Sequence, residues 1–143
     1  MIKALSIVLF IYFLFSGCTH LAFIEKSTPQ YHIDVERSYF QNGNLEYEAN
    51  FVNGKLDGTS RVWLEDGTLF SVSEYSNGLS HGMWRRYHPN GAIMHEVQYE
   101  YGEKHGYENW FYNNRQIKSE QKFNYGIPES EIIRWKSDGT LIH

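Results

Sequence analysis

Along residues 93–99, Ile93, His95, Val97 and Tyr99 fall on one side of an extended chain, while Met94, Glu96 and Gln98 fall on the other. Residues 117–123 repeat the arrangement, with Ile117 and Phe123 on one face and Lys118, Glu120 and Lys122 on its opposite. One side is apolar at its ends and the other is largely charged, as in an antiparallel sheet with one face toward water. The segments are too short for helices and have the length of strands. Turn signals separate them. Asn42-Gly43, Asp66-Gly67, Asn90-Gly91 and Asp138-Gly139 mark one turn; Asn53-Gly54 and Asn77-Gly78 mark another. Both dipeptides predict type I′ hairpins, which need positive φ at two successive residues. The second turn is expected to open into a slightly longer loop closed by a further glycine, as in Asn77 to Gly82.

The same signals recur with a period of 24. Eleven of the 12 glycines fall in three such series, beginning at Gly43, Gly54 and Gly58. Tyr39, Trp63, Tyr87, Phe111 and Trp135 keep the step, as do the series from Leu45 to Leu141 and from Phe51 to Phe123. The expected fold is all-β: an elongated single-layer antiparallel β-meander of 24-residue hairpin repeats. Units fall at about 36–59, 60–83, 84–107 and 108–130, with a partial unit at 131–143. A single unit has too few large apolar side chains to offset the entropy of ordering it, so neighbours must stack. Trp84 and Tyr87 are three residues apart, and a bulge or strong twist would bring them to one face. In the fourth unit Arg115 takes the glycine's place, and Asn113 or Asn114 is expected to accept the left-handed turn. Pro128 is expected to mark the approach to a capping edge.

The N-terminus reads differently. Lys3 precedes a nearly unbroken apolar run, Ala4 to Phe15, shorter than the roughly 20 residues a spanning helix needs. Residues 1–17 therefore read as a secretory signal, the alternative being an uncleaved anchor. Leu14-Phe15-Ser16-Gly17-Cys18 resembles the lipobox of bacterial lipoproteins, departing from it at Phe15. That resemblance implies cleavage before Cys18, lipidation of its thiol and a membrane as partner, the alternative being an incidental thiol. Thr19 in place of aspartate favours the periplasmic side of the outer membrane over the inner membrane or cell surface. Residues 18–30 form the lipidated terminus and tether, and 31–143 the repeat domain. Losing residues 1–17, with Lys3, takes the formal net charge from −4 to −5. With no cluster of Lys and Arg, nucleic acid is not an expected partner. Cys18 is the only cysteine, so no intramolecular disulfide can form.

The stretches 82–91 and 97–106 resemble the bacterial MORN-repeat variant, whose pattern is roughly G-x-W-x-x-Y-x-x-N-G followed by an aliphatic residue, a glutamate, a tyrosine and two glycines. The likeness covers nearly all of 36–143. It departs at Ser60 and Glu108, where tryptophan would stand, and at Val72, where glutamate would. It implies a run of antiparallel hairpins acting as an interaction scaffold, with no catalytic residues to carry over. Some stand-alone bacterial members are regarded as antitoxins.

Candidate chemistry is sparse. Glu48, Glu96 and Glu120 share a repeat position and read as a cross-strand ladder rather than a catalytic pair. His81, His88, His95 and His105 lack compact ligand spacing, so neither a metal nor another cofactor is expected. No nucleophile elbow or phosphate loop occurs, and no catalytic residue is assigned. The ladder Tyr39, Trp63, Tyr87, Phe111 and Trp135 reads as core shared between units, with an exposed stripe as the alternative. Trp84, Arg85, Arg86 and Trp110 form the candidate binding surface, since Trp and Arg are enriched in binding hot spots. The expected role is a non-enzymatic, membrane-anchored scaffold with an unidentified protein partner. The alternatives are an antitoxin or immunity protein and a cell-wall polysaccharide binder. An exposed terminal strand could also pair with a second copy.

Overall fold

The computed structural model describes residues 31–143, so the signal segment, Cys18 and the tether lie outside the described residues. Among the described residues twelve strands form one antiparallel sheet. They are β1 (Ile33–Tyr39), β2 (Leu45–Val52), β3 (Lys55–Trp63), β4 (Leu69–Ser76), β5 (Leu79–Ser80) and β6 (Gly82–Tyr87). The second half comprises β7 (Ile93–Glu100), β8 (Glu103–Phe111), β9 (Ile117–Asn124), β10 (Ile127–Pro128), β11 (Ile133–Trp135) and β12 (Leu141–Ile142). The order is β1-β2-β3-β4-β6-β7-β8-β9-β11-β12, with β5 on β4 and β10 on β9. No crossover occurs and the sheet does not close. This is the all-β single-layer meander of 24-residue hairpins that the periodicity predicts.

The two turn classes are distinct, and only the second has the type I′ geometry expected of both, without the longer loop. Asn53-Gly54 and Asn77-Gly78 have positive φ at both residues, as have Tyr101-Gly102 and Tyr125-Gly126. The flanking residues pair directly, as in Ser76 with Leu79, so these are two-residue type I′ turns and not longer loops. Gly58, Gly82 and Gly106 lie beyond these turns, at the strand irregularities that follow them. At the other turn only the final glycine is left-handed. Gly43 donates to the Phe40 carbonyl at 2.9 Å while Phe40 donates to Asn44 at 2.9 Å. A type I turn followed by one left-handed residue makes this pattern. Asn42 supports it by accepting the Asn44 amide at 2.9 Å. In the fourth unit Arg115, with φ of 69°, takes the left-handed position, correcting the expectation for Asn113 and Asn114. Three residues per loop fix the position that must be left-handed, whatever residue occupies it.

A register shift follows each of Ser38, Val62, Arg86 and Trp110, just before the ladder aromatic. This bulge resolves the three-residue spacing of Trp84 and Tyr87. Each ladder residue then opposes an aliphatic one within its own hairpin: Tyr39 with Leu45, Trp63 with Leu69, Tyr87 with Ile93, Phe111 with Ile117 and Trp135 with Leu141. The rings that join units lie elsewhere. Trp84 sits between Tyr75 and Tyr99 at centroid distances of 5.4 and 4.8 Å. His81 meets Tyr101 at 5.7 Å, and His105 meets Tyr125 at 4.6 Å. A single layer buries little. Ala49, Val97 and Phe123 are its buried strand apolars, all on the face that carries Trp84.

Both turn edges also hold adjacent units together. Gly78, Gly102 and Gly126 donate to the carbonyls of Leu56, Ser80 and Lys104 at 2.7–2.8 Å. Along the opposite edge, Asn42, Asn90 and Asn114 donate to the carbonyls of Glu65, Asn113 and Ser137 at 2.8–2.9 Å.

Candidate functional site

The antiparallel register assigns the central side chains to two faces. Arg85 opposes Glu96, while Trp84 opposes Val97 and Arg86 opposes His95. Arg85 thus leaves the group proposed from sequence: it turns to the charged face and donates to Glu96 at 3.3 Å. The arginines of that face are paired with its glutamates. Glu48 bridges Arg37 and Arg61 at 2.8 and 3.3 Å, and Glu96 also accepts from Asn109 at 3.4 Å. Glu48 and Glu96 are therefore cross-strand ladder residues. Glu120 opposes Asn109 in the same row.

The other face brings together Trp84, Arg86 and Trp110, with His95 between the last two. The His95 and Trp110 rings stack at 4.0 Å, and Trp110 remains 37% exposed. His95 Nε2 lies 2.9 Å from Glu108 Oε1, and Lys104 donates to Glu108 Oε2 at 2.7 Å. Burial holds the His95 imidazole below its ordinary pKa, outweighing the pull of Glu108 upward. Burial raises the Glu108 carboxyl, but the hydrogen bonds from Lys104 and His95 prevail and leave it below its usual range. Glu108 stands where the repeat pattern calls for tryptophan, so the departure buys a polar cluster in place of a ring.

Trp84 has a second duty that its sequence position does not reveal. Besides bridging Tyr75 and Tyr99, its indole N–H donates to the Glu74 carbonyl at 3.1 Å. It is therefore half-buried packing as well as surface. Beside it lies a depression of about 240 Å³ whose walls include Ser71, Ser73, Trp84, Arg86, Val97 and Tyr99. Sequence reasoning missed Ser71 and Ser73. Their signal was present: where this unit has two serines, the preceding unit has Tyr47 and Ala49 and the next has His95 and Val97. Two short hydroxyl side chains, with Tyr47 before and His95 and Val97 after, leave the space.

The ladder residues surround no common site. Trp63, Tyr87, Phe111 and Trp135 are half-buried, whereas Tyr39 is 59% exposed near the sheet's first edge. Of the other histidines, His88 Nε2 contacts the Phe111 carbonyl at 3.1 Å, and His81 and His105 lie against tyrosines of the following turn. Among the described residues no group of three His, Cys, Asp or Glu is arranged to hold a metal ion. Cys18 lies outside the described residues.

Comparison with curated proteins finds no match. The family described as MORN repeat variant matches residues 35–53, spanning β1, β2 and the turn after them, and residues 80–101, spanning β6 and β7. Two stretches of the chain thus match the MORN repeat variant, and both coincide with hairpins of the sheet.

Proposed function

We propose that this chain is a non-enzymatic interaction module, held at a membrane through Cys18, that presents the Trp84–Arg86–Trp110 face of its sheet to a protein partner. The observation that carries the reading is the contrast between the two faces. One has its central charges paired in Arg–Glu bridges; the other leaves Trp110 partly exposed and Arg86 exposed and without a carboxylate partner among the described residues. Trp and Arg in such positions are the side chains most often found to dominate binding energy. MORN repeats generally serve in protein or membrane interaction, which supports the same reading.

The test is cross-linking of the tagged full-length protein in its own cells, comparing Arg86→Glu/Trp110→Ala with the opposite-face control Lys118→Glu. Trp84 is left intact because it packs between two tyrosines. A partner captured by the parent and the control but not by the double variant, with unchanged β-type circular dichroism, is the expected result. Identical capture by all three would refute the assignment of the face.

A further inference from the structure

We infer that the depression beside Arg86 is a carboxylate-recognition pocket that takes the free C-terminal residue of a peptide. The inference rests on the reading of this face as a protein-binding surface and names the chemistry of what it grips. Three observations lead to it.

The first is charge. Arg85 and Arg86 both line the depression, but Arg85 is paired with Glu96, whereas no carboxylate lies within ion-pair distance of Arg86 among the described residues, although the chain has more acids than bases. On the other face Arg85 and its repeat-mates Arg37 and Arg61 are all paired. A guanidinium left open in an acidic protein is a fixed donor fork matched to a planar oxyanion. His95, directly opposite Arg86, has its pKa lowered by burial, and its Nε2 lies 2.9 Å from Glu108 Oε1. One unpaired cation suits a monoanion such as a carboxylate better than a dianionic phosphate.

The second is the donor set. Ser71 opposes Arg86 on the neighbouring strand, and Ser73 lies two residues along the same face. The hydroxyls are about 7 Å apart along the strand, so a carboxylate on Arg86 can take one of them while the other remains for the last peptide amide or carbonyl.

The third is size and lining. About 240 Å³ is smaller than the roughly 300–1,000 Å³ of small-molecule sites, but it accommodates one terminal residue. Trp84, Val97 and Tyr99 make the remaining wall apolar, and among the described residues no second layer covers the sheet, so the rest of a peptide can continue across the face toward Trp110.

The test is calorimetric titration of the full chain with a hexapeptide ending in phenylalanine, as free acid and as C-terminal amide. The free acid should bind at least about tenfold more tightly, the loss expected when a charge-assisted hydrogen bond is removed. Arg86→Gln should abolish that preference, and Ser71→Ala should reduce it; both substitutions are at sites where circular dichroism can confirm an unchanged sheet. Equal binding of acid and amide, or an undiminished preference in Arg86→Gln, would overturn the pocket. N-acetylphenylalanine binding as tightly as the hexapeptide would overturn the peptide assignment, and phosphate competing better than acetate would overturn the monoanion argument. If Arg86→Gln leaves cellular capture intact while Trp110→Ala abolishes it, the pocket fails and the interaction surface stands.

Discussion

Gly82→Ala should destabilise the sheet more than Gly67→Ala, for a reason that a second substitution can remove. Both glycines have left-handed backbones, with φ of 82° and 85°. An alanine there costs about 1–2 kcal/mol in backbone strain. At Gly67 nothing lies within 4 Å of the added methyl, so strain is the whole effect. At Gly82 the methyl would overlap Glu74 Oε2 and come to 3.2 Å from Glu74 Cβ. The carboxylate must swing away and release the Met83 amide, which it accepts at 3.3 Å. That adds about 0.5–1.5 kcal/mol. For a domain of this size 1 kcal/mol moves the melting temperature by about 4 °C, so Gly67→Ala should lower it by about 4–8 °C and Gly82→Ala by a further 2–6 °C or so. Melting of the four members of the Gly82→Ala, Glu74→Ala cycle isolates the contact. In the Glu74→Ala background the Gly82→Ala penalty should shrink to that of Gly67→Ala, the residual 3.2 Å approach to Cβ needing only a slight shift. An equal Gly82→Ala penalty in both backgrounds would show that the carboxylate is not what the glycine makes room for.

Asp66→Asn should raise the melting temperature. Asp66 accepts the Thr68 amide at 2.8 Å as its asparagine counterparts do, but a carboxylate cannot donate to the next unit as Asn42, Asn90 and Asn114 do. Hydrogen bonds from Thr68 hold the Asp66 carboxyl below the usual aspartate pKa, so its contribution is present above that usual value and disappears as pH falls through the folded pKa. The advantage of the amide should accordingly widen in acid. A variant that melts lower than the parent at acid pH would refute the rung. His95→Phe should flatten the dependence of the urea midpoint on pH. Burial lowers the His95 pKa from 6.5, so the parent's stability is complete above about pH 6.5 and declines as pH falls toward the folded value, where only the unfolded chain takes up the proton. Parallel profiles for parent and variant would assign that decline to other groups. Cys18→Ser should leave the circular dichroism spectrum of the repeat domain unchanged and move the protein from the membrane fraction to the soluble one. Unchanged fractionation would refute lipid anchoring.

The period of 24 was enough to recover the open meander, because glycine at a turn and alternation within a strand are local demands. Which turn is which was not legible. Asn-Gly satisfies both a two-residue type I′ turn and the last two residues of a three-residue loop, and only the pairing of Ser76 with Leu79 against that of Tyr87 with Ile93 separates them. Tyr101 and Tyr125, left-handed without being asparagine, hid two further type I′ turns. Their rings explain the tolerance: each lies against the histidine of the preceding unit. Parity along β6 already separates Arg85 from Arg86, yet their adjacency in sequence drew them into one candidate surface. Trp84 entered the candidate surface because Trp is enriched in binding hot spots. Its place between two tyrosines follows from register, which a residue list does not contain.

The positions that keep the repeat and those that break it divide the labour of this sheet. The turn glycines, the ladder aromatics and their aliphatic partners close each hairpin, and the edge hydrogen bonds join hairpin to hairpin. None of these fixes the middle of the face that carries Trp84. There the residue at 62, 86, 110 and 134 is Val, Arg, Trp and Arg in turn, and that at 47, 71, 95 and 119 is Tyr, Ser, His and Ser. A purely structural row in a nearest-neighbour array gains from uniformity, since each unit meets much the same surroundings. Variation at the centre of this face, beside a charged face where Glu48 and Glu96 are bridged by arginines, suits a recognition surface on a repeating frame. Arg86 is the sharpest case. Where its predecessor in the row is a valine set between Tyr47 and Ser71, it places a cation that the fold does not use.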